Sequence, residues 1–179
     1  MAKIIFVSGI HGVGKTTLCE QLKRHLSLGV YSSSQLIKKK SGFIGCDKKV
    51  IPDIARRNQL LLLDVIREIP DDVILLDGHF SLIDMDENIM SIDEDIFEQM
   101  DFISVINVRC SSELINVRLR HRDGYGYTLE LLGRFQYQEA FLAKRYCLKH
   151  NVPIFEYDSG ADVSSVILLI QNLLLDFQK

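Results

Sequence analysis

The sequence predicts a three-layer α/β/α sandwich built on a five-stranded parallel sheet. Three observations carry this. Short apolar runs alternate along the chain with stretches that have helical spacing. The first run, Lys3-Ile4-Ile5-Phe6-Val7-Ser8, has no polar alternation and stops at Gly9, as a strand covered on both faces does. The 179 residues suffice for one domain with a real core and are too few for two comfortable ones.

The elements follow in order. Leu18, Leu22 and Leu26 recur at i, i+4 and i+8 and predict the first helix. Gly29 breaks that pattern, and Val30-Tyr31 begins a short second strand. Ser32-Ser33-Ser34 offers capping hydroxyls to a helix over Gln35-Leu36-Ile37-Lys38-Lys39-Lys40. The stretch 41–52, with Gly42 and Gly45, reads as a loop. A helix then runs from Asp53, its cap, to Ile69, where Pro70 closes it, with Ile54, Leu61, Val65 and Ile69 as the apolar stripe. Val73-Ile74-Leu75-Leu76 is the third strand. The acidic, mixed segment from Ser81 to Asp101 reads as a loop with one short helix near Glu94 to Met100. Phe102 to Val108 is the fourth strand. Ser111 or Ser112 caps a helix to about Arg122, with Leu114–Val117 and Ile115–Leu119 as apolar pairs. After Gly124-Tyr125-Gly126-Tyr127 comes a long helix, Leu129 to His150, and then the short strand Ile154-Phe155-Glu156-Tyr157. The box Ser159-x-x-Asp162 opens a last helix through Leu174.

Composition narrows the function classes. With 21 basic against 24 acidic residues, net charge −3, no global field points to nucleic acid. No apolar run approaches the roughly 18 residues of a membrane span, and the N-terminus shows no signal-peptide pattern. Cys19, Cys46, Cys110 and Cys147 are scattered without a C-x-x-C pair. Reduced thiols in a cytoplasmic protein are therefore expected, rather than a metal cage or disulfide framework.

The chemistry concentrates in Gly9-Ile10-His11-Gly12-Val13-Gly14-Lys15-Thr16, followed by Thr17, which fits the phosphate-binding pattern G-x-x-x-x-G-K-[ST]. Gly9, Gly12 and Gly14, with Val13 between them, let the backbone curl so that N–H groups face an anion. Lys15 supplies a positive charge to the β- and γ-phosphates of ATP, and Thr16, with Thr17 beside it at the helix start, a hydroxyl for Mg²⁺. Asp77 ends an apolar strand, the position of a magnesium-side carboxylate. His79, two residues on, is a candidate for contact with substrate hydroxyl or phosphate. His11 occupies an unspecified position and has no catalytic duty. Arg118 and Arg122 share a helix face at i, i+4 and suit the charge of a γ-phosphoryl group in transfer. Gly124 and Gly126 provide hinges for a small lid, and Arg134 and Arg145 stand on the helix beyond it.

Three segments carry a resemblance: GIHGVGKTT, LLDGHF and FISVINVRCSSELINVRLRHRDGYG. Together they resemble the nucleoside monophosphate kinase group of P-loop kinases, most nearly the compact archaeal-type and nuclear adenylate kinases. The resemblance implies one kinase domain over residues 1–179, an acceptor-binding insertion at about 33–59 and a short lid at about 118–130. It makes Lys15, Asp77, Arg118 and Arg122 the catalytic group, and Thr16 with Asp77 the metal-side pair. Ser34, Lys38, Arg56, Arg57, Gln59 and His79 become the acceptor-side candidates. The chain departs from the family at Lys38-Lys39-Lys40, where an arginine is common, and at Ser81-Leu82, where proline-arginine is usual. The implied activity is ATP- and Mg²⁺-dependent transfer of the γ-phosphoryl group to a small acceptor, a nucleoside monophosphate first. Alternatives are a kinase of another metabolite or nucleoside, or a nucleotide-regulated ATPase whose protein partner docks on the acidic segment Asp84 to Asp101. No N-K-x-D guanine signature occurs, which favours ATP over GTP.

Overall fold

Apolar strands set the centre of the protein. In the computed structural model, which describes residues 1–41, 52–84 and 86–176, β1 (Lys3–Ser8) lies between β3 (Val73–Asp77) and β6 (Phe102–Arg109). The edges are β2 (Gly29–Ser32) and β7 (Ile154–Asp158), and every neighbouring pair in this five-stranded sheet is parallel. The predicted class and its five strands are therefore present. Register matters for the site: Val7 lies opposite Asp77, and Ser8 opposite Asn107. The carboxyl ends of the three central strands thus finish side by side.

Strand alternation divides the core into two layers of contact. Ile5, Val7, Leu75, Ile106 and Val108 pack with α1 (Lys15–His25), α5 (Ser112–Asp123), the first turns of α6 (Leu129–His150), and α7 (Ser164–Asp176). Ile4, Phe6, Ile74, Leu76 and Val105 pack with α3 (Pro52–Arg67), α4 (Glu94–Phe97) and the later turns of α6. At 22 residues, α6 is about 33 Å long, enough to reach both layers. The second layer includes an aromatic group: Phe6 stacks on Phe102 at 4.7 Å and meets the Phe80 edge at 5.3 Å between centroids.

Several expectations need correction. The segment after β3 is not a plain loop: β4 (Ser81–Ile83) and β5 (Ile89–Ser91) form an antiparallel hairpin before α4. Asp84 organises its turn, its Oδ1 accepting from the amides of Asp86 and Asn88, both at 2.8 Å. Acidic turn residues between two three-residue strands leave too little alternation to see in the sequence. On α3 the buried residues are Leu62, Leu63 and Ile66, whereas Ile54 is 50% exposed. The run Leu60 to Leu63 is apolar at every position, so spacing alone gave the helix no phase. That helix starts at Pro52, one residue before the expected cap Asp53, and ends at Arg67 rather than Ile69.

On α5, Ser111 Oγ accepts from the Leu114 amide at 3.2 Å, so Ser111 is the cap. Ile115 and Leu119 are buried, but Leu114 and Val117 face outward. Ahead of the last helix, Asp162 Oδ1 accepts from the Ser164 amide at 3.1 Å and from Ser164 Oγ at 3.0 Å, while Ser159 Oγ meets Arg118 instead. The expected loop with Gly42, Gly45 and Cys46 lies outside the described residues. Among the described residues Cys19, Cys110 and Cys147 are free thiols, and no helix is long and apolar enough to cross a membrane.

Candidate functional site

The β1 strand runs into a glycine turn because two positions admit nothing larger. Gly9 and Gly14 have φ of +144° and +109°. A Cβ at Gly9 would meet the Val108 carbonyl at 2.7 Å, and one at Gly14 would meet Ser159 Oγ at 2.6 Å. Gly14 also precedes α1 in a left-handed conformation without a capping side chain. The first intrahelical bond is the Leu18 amide to Gly14 O, 3.0 Å. The amides of Lys15, Thr16 and Thr17 precede it and stand at the positive end of the helix, the arrangement that receives an anion. Val13 is fully buried in the core and contributes its backbone to the loop.

Lys15 is 7% exposed, and its Nζ donates to Gly9 O at 2.8 Å and Ile10 O at 3.2 Å. Burial pulls its pKa down, while Asp77 and Glu139 act to hold it up. Asp77 lies at the end of β3, where Thr16 Oγ1 donates to its Oδ2 at 3.2 Å. Burial raises the Asp77 pKa, and Lys15 and Thr16 oppose that rise. One hydroxyl and one carboxylate oxygen, adjacent at a helix N-terminus, are hard donors that fit Mg²⁺. Ser33, not Ser34, reaches this place: its Oγ donates to Asp77 O at 2.7 Å.

His79 is half-buried, and its ring centroid lies 4.2 Å from that of His11. Burial first, then Lys15 and His11, lower its pKa well below the usual histidine value, so the ring is neutral at pH 7. Its Nδ1 is buried without a hydrogen-bond partner in the protein.

The two helix arginines part company. Arg118 Nη1 donates to Gly12 O at 3.2 Å, Val13 O at 3.0 Å and Ser159 Oγ at 3.2 Å. It therefore lies against the backbone of the glycine turn. Arg122 turns to Asp123, donating through Nε at 2.9 Å and Nη2 at 2.7 Å. Arg145 is directed elsewhere, to Glu94 at 3.6 Å, and Arg134 is exposed.

The acceptor-side candidates do not converge on one pocket. Arg56 pairs with Asp93 and, at 3.1 Å, with Asp95. Arg57 and Lys38 are exposed, and Gln59 is half-buried. Ser34 Oγ shares a hydrogen bond with Ser32 Oγ at 3.1 Å. The acidic segment read as a docking place is partly used internally, since Lys149 also bonds Glu94 and Glu98 at 2.8 and 3.2 Å.

Sequence reasoning missed Glu139. It is 1% exposed, and its carboxylate accepts from the amides of Gly9 (3.2 Å), Phe80 (2.8 Å) and Ser81 (2.7 Å) and from Ser81 Oγ (2.5 Å). Burial raises its pKa, and the Ser81 and Phe80 donors and Lys15 oppose that. One signal was available. Glu139 lies four residues from both Phe135 and Ala143, a charge on an otherwise apolar helix stripe.

Comparison with known proteins places this geometry. A candidate kinase from Chloroflexus aurantiacus matches with a TM-score of 0.62 and 16% identity, over 98% of this chain and 97% of that one. Shikimate kinase from Acinetobacter baumannii, in complex with shikimate, matches at 0.60 and 18% identity, covering 98% and 94%. A gluconokinase from Sinorhizobium meliloti matches at 0.51 and 12% identity, covering 98% and 93%. These likenesses are in fold. No curated protein matches the chain. The family profile described as AAA domain matches residues 8–129, about two thirds of the sequence. The chain is a member of that AAA domain family, with the three-layer fold of P-loop kinases.

Proposed function

We propose that the protein is an ATP-dependent phosphotransferase that moves the γ-phosphoryl group to a small acceptor. The observation that carries this is the buried Lys15 ammonium, 2.8 Å from Gly9 O, next to the Thr16–Asp77 pair at the N-terminus of α1. Lys15 and the loop amides hold the donor phosphates, and Thr16 and Asp77 would hold Mg²⁺, whose charge would offset that of the phosphates. An acceptor oxygen forms the new bond to the γ-phosphorus as the bond to the β,γ-bridging oxygen breaks, and ADP leaves. Arg122, released from Asp123, brings a forked cation to the charge spread over the γ-phosphoryl oxygens.

The adenylate kinase resemblance names a nucleoside monophosphate as acceptor. One observation favours a second reading, a hydroxylated metabolite. Arg56, the cation expected to receive an acceptor phosphate, is already engaged by Asp93 and Asp95. The fold likeness to shikimate kinase and gluconokinase supports the same reading. A hydroxyl acceptor must lose a proton, and with Asp77 on the metal side the neutral His79 ring is the group near Lys15 able to take it. The test is a coupled assay for ADP with ATP, Mg²⁺ and a panel of nucleoside monophosphates, nucleosides, shikimate and gluconate. Acceptor-dependent ADP formation is expected. ATP turnover that ignores every small acceptor, yet rises with a macromolecule, replaces this reading with a nucleotide-regulated ATPase.

A further inference from the structure

We propose that Glu139 is a positioning residue of the phosphate site: it fixes the peptide of Gly9, and through that peptide the ammonium of Lys15, while locking the exits of β1 and β3 together. The inference rests on the reading of Gly9 to Thr17 as a loop that binds nucleotide phosphates.

Gly9 is held on both sides of its Cα, through the peptide before it and the peptide after it. Its N–H donates to Glu139 Oε1 at 3.2 Å, and its carbonyl accepts from Lys15 Nζ at 2.8 Å. A shift of the Gly9 backbone therefore moves the ammonium with it. The same Oε1 accepts from the Phe80 amide at 2.8 Å, and Oε2 takes the Ser81 amide at 2.7 Å and its hydroxyl at 2.5 Å. Phe80 and Ser81 follow Asp77 by only a few residues. One carboxylate thus joins the segment that leaves β1 to the segment that leaves β3, across 130 and 59 positions of sequence.

The donors favour the charged form of Glu139. Three amide N–H groups and the Ser81 hydroxyl converge on its two oxygens, and a protonated carboxyl could keep all four contacts only if that hydroxyl reversed. A buried carboxylate is costly unless hydrogen-bonded, and these four contacts, with the charge of Lys15, oppose that cost. The same requirement makes glutamine a poor substitute. Its amide N–H would face either the Gly9 and Phe80 amides or the Ser81 amide and hydroxyl.

The experiment measures MgADP affinity by calorimetry at neutral pH, with thermal unfolding in parallel. Glu139→Gln is expected to weaken binding by about tenfold or more. Glu139→Asp keeps the charge but draws it back from Gly9, so it also weakens binding, by less than the glutamine variant. Ser81→Ala keeps the Gly9 bond, so it lowers the melting temperature without weakening binding, which separates positioning from stability. A folded Glu139→Gln protein with wild-type affinity overturns the proposal. So does Glu139→Asp with wild-type affinity, which keeps the test decisive if the glutamine variant does not fold. Wild-type protein that fails to bind MgADP sinks the phosphate reading itself. Wild-type binding that ignores both Glu139 variants sinks this inference alone.

Discussion

Around the glycine turn, Lys15, Asp77 and Glu139 are buried; Asp77 and Glu139 meet partners 61 and 130 positions away, and Lys15 closes on the turn itself at Gly9. Arg56 and Arg122, which the sequence assigns to acceptor and lid, are instead more than half exposed and held by surface carboxylates. Both regions are dense in charge, but the medium differs. Inside, field and geometry are fixed by packing and no solvent must reorganise, the condition under which preorganised groups stabilise a charged transition state. Outside, water and salt screen each pair and little free energy holds it in place. The proposed site thus has a rigid side built during folding and, at Arg122, a loose cation that can change its partner when substrate arrives, whereas Arg56 is held by two carboxylates.

The contrast breaks most sharply at Lys15. Lys15→Ala should abolish phosphoryl transfer while the protein still unfolds cooperatively. Activity within about tenfold of wild type, roughly 1.4 kcal/mol of barrier, would contradict the proposed role. Asp77→Asn comes next. It should lower turnover by about a hundredfold and raise the Mg²⁺ concentration needed for half-maximal rate, read from a metal titration of ADP formation. The interior should also announce itself in acid. Because His79 has a depressed folded-state pKa, its neutral form contributes stability that is complete above pH 6.5. That contribution is lost as pH falls from 6.5 toward the folded value, by at most about 1.4 kcal/mol per pH unit. Melting curves at pH 7.5 and 5.5 should show the loss, and His79→Gln should flatten it. The smallest effect belongs to the surface. Arg56→Ala should leave the melting temperature within about 2 °C of wild type, and a larger drop would mean that this pair is structural.

How much of this the sequence disclosed depended on range. The five strands are local apolar runs, and the glycine turn is a local pattern whose residues each have a physical reason to be there. Both were legible. The phase of α3 was not, because four consecutive leucines satisfy any helical register and only the facing sheet chooses Leu62, Leu63 and Ile66. The β4–β5 hairpin escaped because its turn is built by Asp84 accepting backbone donors, a contact that apolar spacing does not record. At the site, spacing put Arg118 and Arg122 on one helix face, but spacing cannot say that one meets the backbone of Gly12 and the other its own neighbour Asp123. Glu139 was the clearest loss. A glutamate in a helix ordinarily reads as surface, and only its place between Phe135 and Ala143 on the buried stripe argued otherwise.

The reach of Glu139 along the chain also has a consequence in time. A parallel sheet whose strands come from remote segments cannot close until its late parts exist. The glycine turn is complete at Thr17, yet the carboxylate that holds its first glycine belongs to α6, 130 positions later. During synthesis, the amides of Gly9, Phe80 and Ser81 wait without their eventual acceptor. A nascent chain halted before α6 therefore contains the whole phosphate-binding pattern while lacking the group that sets its shape. If Glu139 positions the turn as proposed, competence to grip a nucleotide arrives only when the long helix docks.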